Sequence, residues 1–145
     1  MSLSAEDRLE IHELLARFAH ALDEGDGEAF AATFTEDGTF WNGLKTVTGR
    51  AALLEMGAGG VPGRSRHFNT DHLIEGDGDK ANLKAYLLVT RGLGQEPIVA
   101  TCNDDLVKVD GKWLFAYRRV TADKRTPRVE RTERPAAEGS PQRGA

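Results

Sequence analysis

RHFNTDHLIEGDGDKANLKAYLLV, residues 66–89, is where the periodicity of this chain changes. Upstream of it, apolar residues recur every three to four positions. From Arg66 on, the period is two, as in a strand with one buried face. Four such segments follow one another: RHFNTDHLIE, KANLKAYLLVTRG, PIVATCNDDLVKV and KWLFAYRRVT. Their links are EGDGD, GLGQE and the dipeptide Asp110-Gly111. Asp-Gly between apolar runs is a strong hairpin signal. The second half of the chain therefore reads as a meander of antiparallel strands.

Working back from Arg66, the first half reads as helical. Ser4 with Asp7 three residues on resembles a capping box. Ile11, Leu14, Leu15, Phe18 and Leu22 then form one apolar stripe at period 3.6. At 100° per residue, His12, Ala19 and Asp23 fall on one flank of that stripe, and His20 lies opposite. A second helix is predicted from Asp26, with Phe30 and Phe34 one turn apart and an end at EDG. GTFWNG reads as a short strand. Thr48 is the predicted cap of a third helix, GRAALLEM, which breaks at the glycines from Gly57 to Gly63. Helices first and strands second mean an α+β fold, three helices packed on one face of a strongly curved antiparallel sheet.

The bulk composition narrows the function. The 145 residues suit one domain with one core. Charged residues are 29% of the chain and the net charge is −4. There is no basic stripe of the kind nucleic-acid binding needs. No apolar run reaches the roughly 20 residues of a membrane helix. The N-terminus lacks a basic start followed by an apolar run, so no secretory signal is expected. Cys102 is the single cysteine, which excludes an internal disulfide and points to a cytoplasmic protein. The domain is expected to span residues 1–122. Residues 123–145 belong to a charged, proline-containing stretch, read as disordered because it has too little apolar surface to offset its ordering entropy.

Chemistry concentrates in RSRHFNTDH, Arg64 to His72, which holds two of the four histidines. Strict alternation places His67, Asn69 and Asp71 on one face and His72 on the other. The two histidines then do not converge on one ion, and no metal site is expected. In CNDDLVKV, Cys102, Asp104, Leu106 and Lys108 share a face, and Asn103, Asp105, Val107 and Val109 share the other. Asp104 reads as an ion-pair partner of Arg118 or Arg119 on the next strand. Cys102 reads as a small pocket or core residue. The run GAGGVPG precedes a strand and has no phosphate-loop lysine, so it is a loop and a candidate lid.

The layout resembles the SnoaL-like branch of the nuclear transport factor 2-like superfamily. The resemblance rests on ALDEGDGEAFAATFTEDGTF, RHFNTDHLIEGDGDKANLKAYLLV and DDLVKVDGKWLFAYRRV, and it covers roughly Ala5 to Thr121. It implies an α+β barrel, a cone of sheet closed by helices around a pocket. In scytalone dehydratase, a member, an Asp at the end of the first helix faces a His that begins a strand. That pattern places Asp23 and His67 as the catalytic pair. Trp41 falls where the dehydratase has a pocket tyrosine. Leu22 replaces the tyrosine before the Asp, and neither Arg91 nor Gly92 supplies the dehydratase's second histidine. In ketosteroid isomerase, a relative, a protonated carboxyl donates to an oxyanion, a part Asp104 could play. Phe34, Trp41 and Tyr86 are the candidate pocket walls, with Cys102 and Asp104 as further substrate-binding candidates.

The implied activity is cofactor-independent acid/base chemistry on a hydrophobic cyclic molecule, as a lyase, isomerase or cyclase. A binding protein or accessory subunit without chemistry is the alternative. Convergence of polar groups inside the pocket separates the two. The resemblance also implies a homodimer through the outer sheet face, where Val107 and Val109 would serve.

Overall fold

Ser4 opens the first helix as its spacing predicts. In the computed structural model, which describes residues 2–124, the Ser4 side chain accepts from the Asp7 N–H and the Asp7 carboxylate accepts from the Ser4 N–H, each at 3.0 Å. Both halves of the capping box are present, and α1 runs Ala5–Glu24. The other Asp7 oxygen accepts from Trp113 Nε1 at 3.0 Å and Lys108 Nζ at 2.9 Å. These donors hold the Asp7 carboxyl far below the usual carboxylate range and tie the start of α1 to the last hairpin. Ile11, Leu14, Leu15 and Phe18 are buried, and Leu22 partly so. Gly25 ends the helix at φ 73°, a left-handed conformation that glycine adopts without a Cβ penalty.

The short α2, Gly27–Ala31, is capped by Asp26, whose side chain accepts from the Ala29 N–H at 3.0 Å. It stops before Phe34, contrary to the predicted turn spacing. The Thr33 hydroxyl and N–H both donate to the Phe30 carbonyl, and the Thr33 carbonyl is taken by the Phe115 N–H at 2.9 Å. The chain has already joined the sheet. Phe34 therefore begins β1, Phe34–Trp41, and a short β2, Thr46–Thr48, pairs back on it. Thr48 does not cap α3, Arg50–Ala58. Gly49 holds that position without a side-chain bond, because the Thr48 hydroxyl bonds Thr39 across the β1–β2 pair at 3.0 Å.

Then come β3 (Arg66–Asp77), β4 (Lys80–Thr90), β5 (Ile98–Val109) and β6 (Lys112–Ala122). They form the expected antiparallel meander. Asp110 at φ 50° and Gly111 at φ 77° make the predicted two-residue hairpin turn. The order across the sheet is β2-β1-β6-β5-β4-β3, and β1 pairs with β6 in parallel. The fold class is α+β as expected, but the sheet curls without closing, and β2 and β3 remain its edges. Along β4, Ala81, Leu83, Ala85, Leu87 and Val89 are buried and their neighbours exposed. The core between helices and sheet is aromatic. Phe18 lies 5.0–6.4 Å, between ring centroids, from Phe30, Phe34, Phe40 and Phe115. Of the charged stretch expected to be disordered, only Asp123 and Lys124 lie within the described residues. The Asp123 N–H still bonds the Val99 carbonyl at 2.9 Å.

Candidate active site

Asp23 stands in the last turn of α1 and His67 at the second position of β3. The His67 N–H donates to Asp23 Oδ2 at 3.0 Å, and the ring Nδ1 lies 2.5 Å from Oδ1. Both carboxylate oxygens are thus used on one residue. The Asp23 side chain is 7% exposed and that of His67 18%, so the pair is shielded and the attraction is stronger than at a wet surface. With Asp23 accepting at Nδ1, the ring proton is held there and Nε2 is left to give or take another. Gly60 keeps the end of α1 in place. A Cβ on Gly60 would strike the Leu22 carbonyl oxygen, so this part of the glycine loop is packed against the helix end rather than free to act as a lid.

A cleft of about 680 Å³ runs between α1 and β3, from Asp23 and His67 at one end to His12 and His72 at the other. His12 and Asp23 are eleven residues apart, which is about 16 Å of helix. The expected flank of His12, Ala19 and Asp23 faces this cleft with Leu15, and Phe68 and Leu88 border it from the outer face of β3 and β4. Of the pairing that the resemblance implies, Asp23 and His67 are in contact.

Two bulges decide what else reaches the interior. Thr70 pairs with Tyr86 and Leu73 with Lys84, so Asp71 and His72 together oppose Ala85. Asp71 takes φ 56°, which Asp tolerates better than most residues. An extra residue flips the facing of all that follow. His72 consequently turns inward with His67 and Asn69, and Asp71 turns out. This corrects the expectation from strict alternation. The His72 ring meets His12 edge-on at 4.6 Å between centroids. Desolvation lowers the His72 pKa from its usual value, and its buried Nε2 has no hydrogen-bond partner. Among the described residues, no group of three or more His, Cys, Asp or Glu side chains is arranged to hold a metal ion.

The second bulge is in β6. Asp105 pairs with Tyr117 and Leu106 with Phe115, leaving Ala116 as the extra residue. Alternation from Phe115 alone would send Arg119 inward. The bulge sends Arg118 instead, and it is fully buried. Arg118 donates to Asp104 Oδ2 at 3.1 Å, Asn69 Oδ1 at 2.6 Å and Cys102 Sγ at 3.2 Å. Its guanidinium stacks 4.4 Å from the Phe18 ring centroid and 4.9 Å from that of Phe115. Asp104 therefore has the structural partner that its strand position suggested. Burial nevertheless pushes its carboxyl up to about 6, against the Arg118 charge, and Oδ1 is without a partner. Burial also raises the Cys102 thiol.

This shift sets a pH dependence. A proton held more tightly in the folded state stabilises it below the folded pKa. Wild type should gain stability relative to Asp104→Asn as pH falls from about 6 toward the unfolded value of 3.8, and lose that gain as pH rises through 6. The comparison cancels His72, which titrates in both proteins. Urea denaturation of the pair at several pH values reads the difference. A flat difference would remove the assignment.

Several expected pocket residues lie elsewhere. Phe34 is in the aromatic core because it opens β1. Tyr86 sits between inward Ala85 and Leu87, so it points outward and is 53% exposed. Trp41 is half-buried beside inward Phe40 and lines neither this cleft nor the one next to it. Cys102 and Asp104 line neither of these clefts and are linked to Asn69 through Arg118. The sequence reading did not single out Asn69, Leu15 and Leu88 as lining residues. The α1 flank could have located Leu15; no local signal marks the other two.

No helix among the described residues is long and apolar enough to cross a membrane. The architecture recurs in solved structures. A protein of unknown function with a cystatin-like fold from Nostoc punctiforme is 32% identical, with TM-score 0.77 over 88% of this chain and 98% of that one. A protein of unknown function from Mycobacterium tuberculosis is 35% identical, with TM-score 0.75 over 82% and 73%. An NTF2-like protein with a cystatin-like fold from Novosphingobium aromaticivorans is 26% identical, with TM-score 0.74 over 84% and 85%. No curated protein matches this chain. The SnoaL-like domain matches residues 3–119, the helices and nearly the whole sheet that together hold the Asp23–His67 cleft, and the chain belongs to that family.

Proposed function

We propose that this chain is a small enzyme of the lyase, isomerase or cyclase type, working without a cofactor on a hydrophobic cyclic molecule. The Asp23–His67 contact at the end of an apolar cleft carries this reading. His67 Nε2 takes a proton from a carbon beside a carbonyl, or gives one to a departing oxygen. Asp23 holds the ring and stabilises the imidazolium that forms. General acid/base groups supply about 10²–10⁴-fold in rate. The elongated apolar cleft suits a flat ring system, and folds of this family often bind small hydrophobic ligands. A buried single cysteine fits a cytoplasmic place of action. A thermal-shift screen of cyclic ketones and phenols, followed by turnover assays on the hits, tests the proposal. Hits that bind and are never converted would leave a binding protein.

The same reading includes a homodimer. Phe68, Leu88 and Val99 lie side by side on the outer face across β3, β4 and β5, and are 52%, 37% and 49% exposed. Val109 joins the apolar outer surface at 43% exposure, while Val107 is half-buried. An isologous pairing would cover these side chains. Light scattering at micromolar concentration should give twice the chain mass, and Phe68→Glu should give the monomer. A monomeric wild type would refute the pairing.

A further inference from the structure

A second cleft, of about 540 Å³, opens on the other side of the Asp23–His67 pair. Its lining is richer in lysine and arginine than that of the first, where Arg66 is accompanied by Glu24. Lys45, Arg64 and Arg91 line it, and none of the three is in an ion pair among the described residues. The carboxylate in its lining is Asp23, whose two oxygens are committed to His67. Arg91 is held in place by a neutral partner. Its Nε and Nη2 donate to the Glu96 carbonyl at 3.0 and 2.6 Å, so its charge is positioned and not cancelled. Three cations thus converge on one cleft in a chain whose net charge is −4.

We infer that this cleft receives a carboxylate carried by the ligand, while the ligand's apolar rings lie along α1 and its reacting atom sits at His67. The inference rests on the proposed function for the ring and the reacting atom. The cation cleft itself stands on its lining. A planar guanidinium pairs with a carboxylate through two parallel N–H···O bonds, and Arg91 is fixed in orientation. Lys45 and Arg64 are exposed, which suits capture and steering of an anion more than tight burial. The two clefts meet at His67. A ligand spanning both therefore has its anionic end and its ring body on opposite sides of the general acid/base.

Binding of 2-naphthoate and of methyl 2-naphthoate, measured by calorimetry at low and high salt, tests the inference. Wild type should bind the acid on the order of tenfold more tightly than the ester. That preference should shrink with added salt. Arg91→Gln should reduce it, and so should the double variant Lys45→Gln/Arg64→Gln. The double variant alters only exposed side chains and leaves the Glu96 carbonyl bonded, so it keeps the fold. Ester affinity should stay the same in each. Equal affinities in wild type, binding of neither compound, or a preference untouched by the double variant would overturn the inference. His67→Ala should retain the preference whether or not the chain is an enzyme, so the cation cleft and the proposed chemistry fail separately.

Discussion

His67→Ala should lower turnover by about 10²–10⁴-fold, the usual contribution of a positioned acid or base, while costing about 1–3 kcal/mol of stability. The stability cost is limited because the His67 backbone N–H still serves Asp23 Oδ2, and the ring packs against a cleft rather than in the core. Oδ1 alone loses its partner, and leaving one buried acceptor unpaired costs about 1–3 kcal/mol. Asp23→Asn should lower turnover comparably. The amide keeps the shape but cannot stabilise an imidazolium as a carboxylate does. His72→Ala, at the far end of the cleft, should change turnover by less than about tenfold, and a strong chelator should change nothing. Steady-state kinetics on the screened substrate checks all four. Full activity in His67→Ala would make the histidine structural, and inhibition by chelation would make it a metal ligand.

Arg118→Ala should destabilise the fold by about 3–5 kcal/mol, because buried Asp104 loses its cation and must either stay charged without it or take up a proton. Against a total stability of roughly 5–15 kcal/mol for a domain, that brings the protein close to unfolding. The loss combines three contacts. The ion pair to Asp104 is removed with both side chains at 0% exposure, Asn69 Oδ1 loses its donor, and the stacking on Phe18 and Phe115 disappears. The double variant Arg118→Met/Asp104→Leu should recover most of the loss, since apolar replacement of a buried pair is often neutral or better. Urea denaturation of both variants reads the difference. A loss below about 1 kcal/mol in Arg118→Ala would mean that water already reaches Asp104.

The sequence by itself determined those features whose causes are local. The Ser4–Asp7 capping box, the Ile11–Phe18 stripe, the alternation along β4 and the Asp110-Gly111 turn depend on residues a few positions apart, so their spacing was enough to read them. The Asp23–His67 pair was legible only through likeness to a family, because forty-four residues separate its members and no local rule brings them together.

Tertiary structure decided the rest through strand register. Phe34 left its predicted helix because Thr33 and Phe34 are drawn into pairing with Phe115 on a strand about eighty residues away. The parallel β1–β6 contact arises from the same long-range pairing. Asp71 and Ala116 are each one residue too many for their partner strand, and neither composition nor period marks them as extra. Their effect is to turn His72 and Arg118 inward. A strand's facing has a period of two, so a single inserted residue reverses every side chain beyond it. Only the pairing of whole strands across the sheet determines where such an insertion falls.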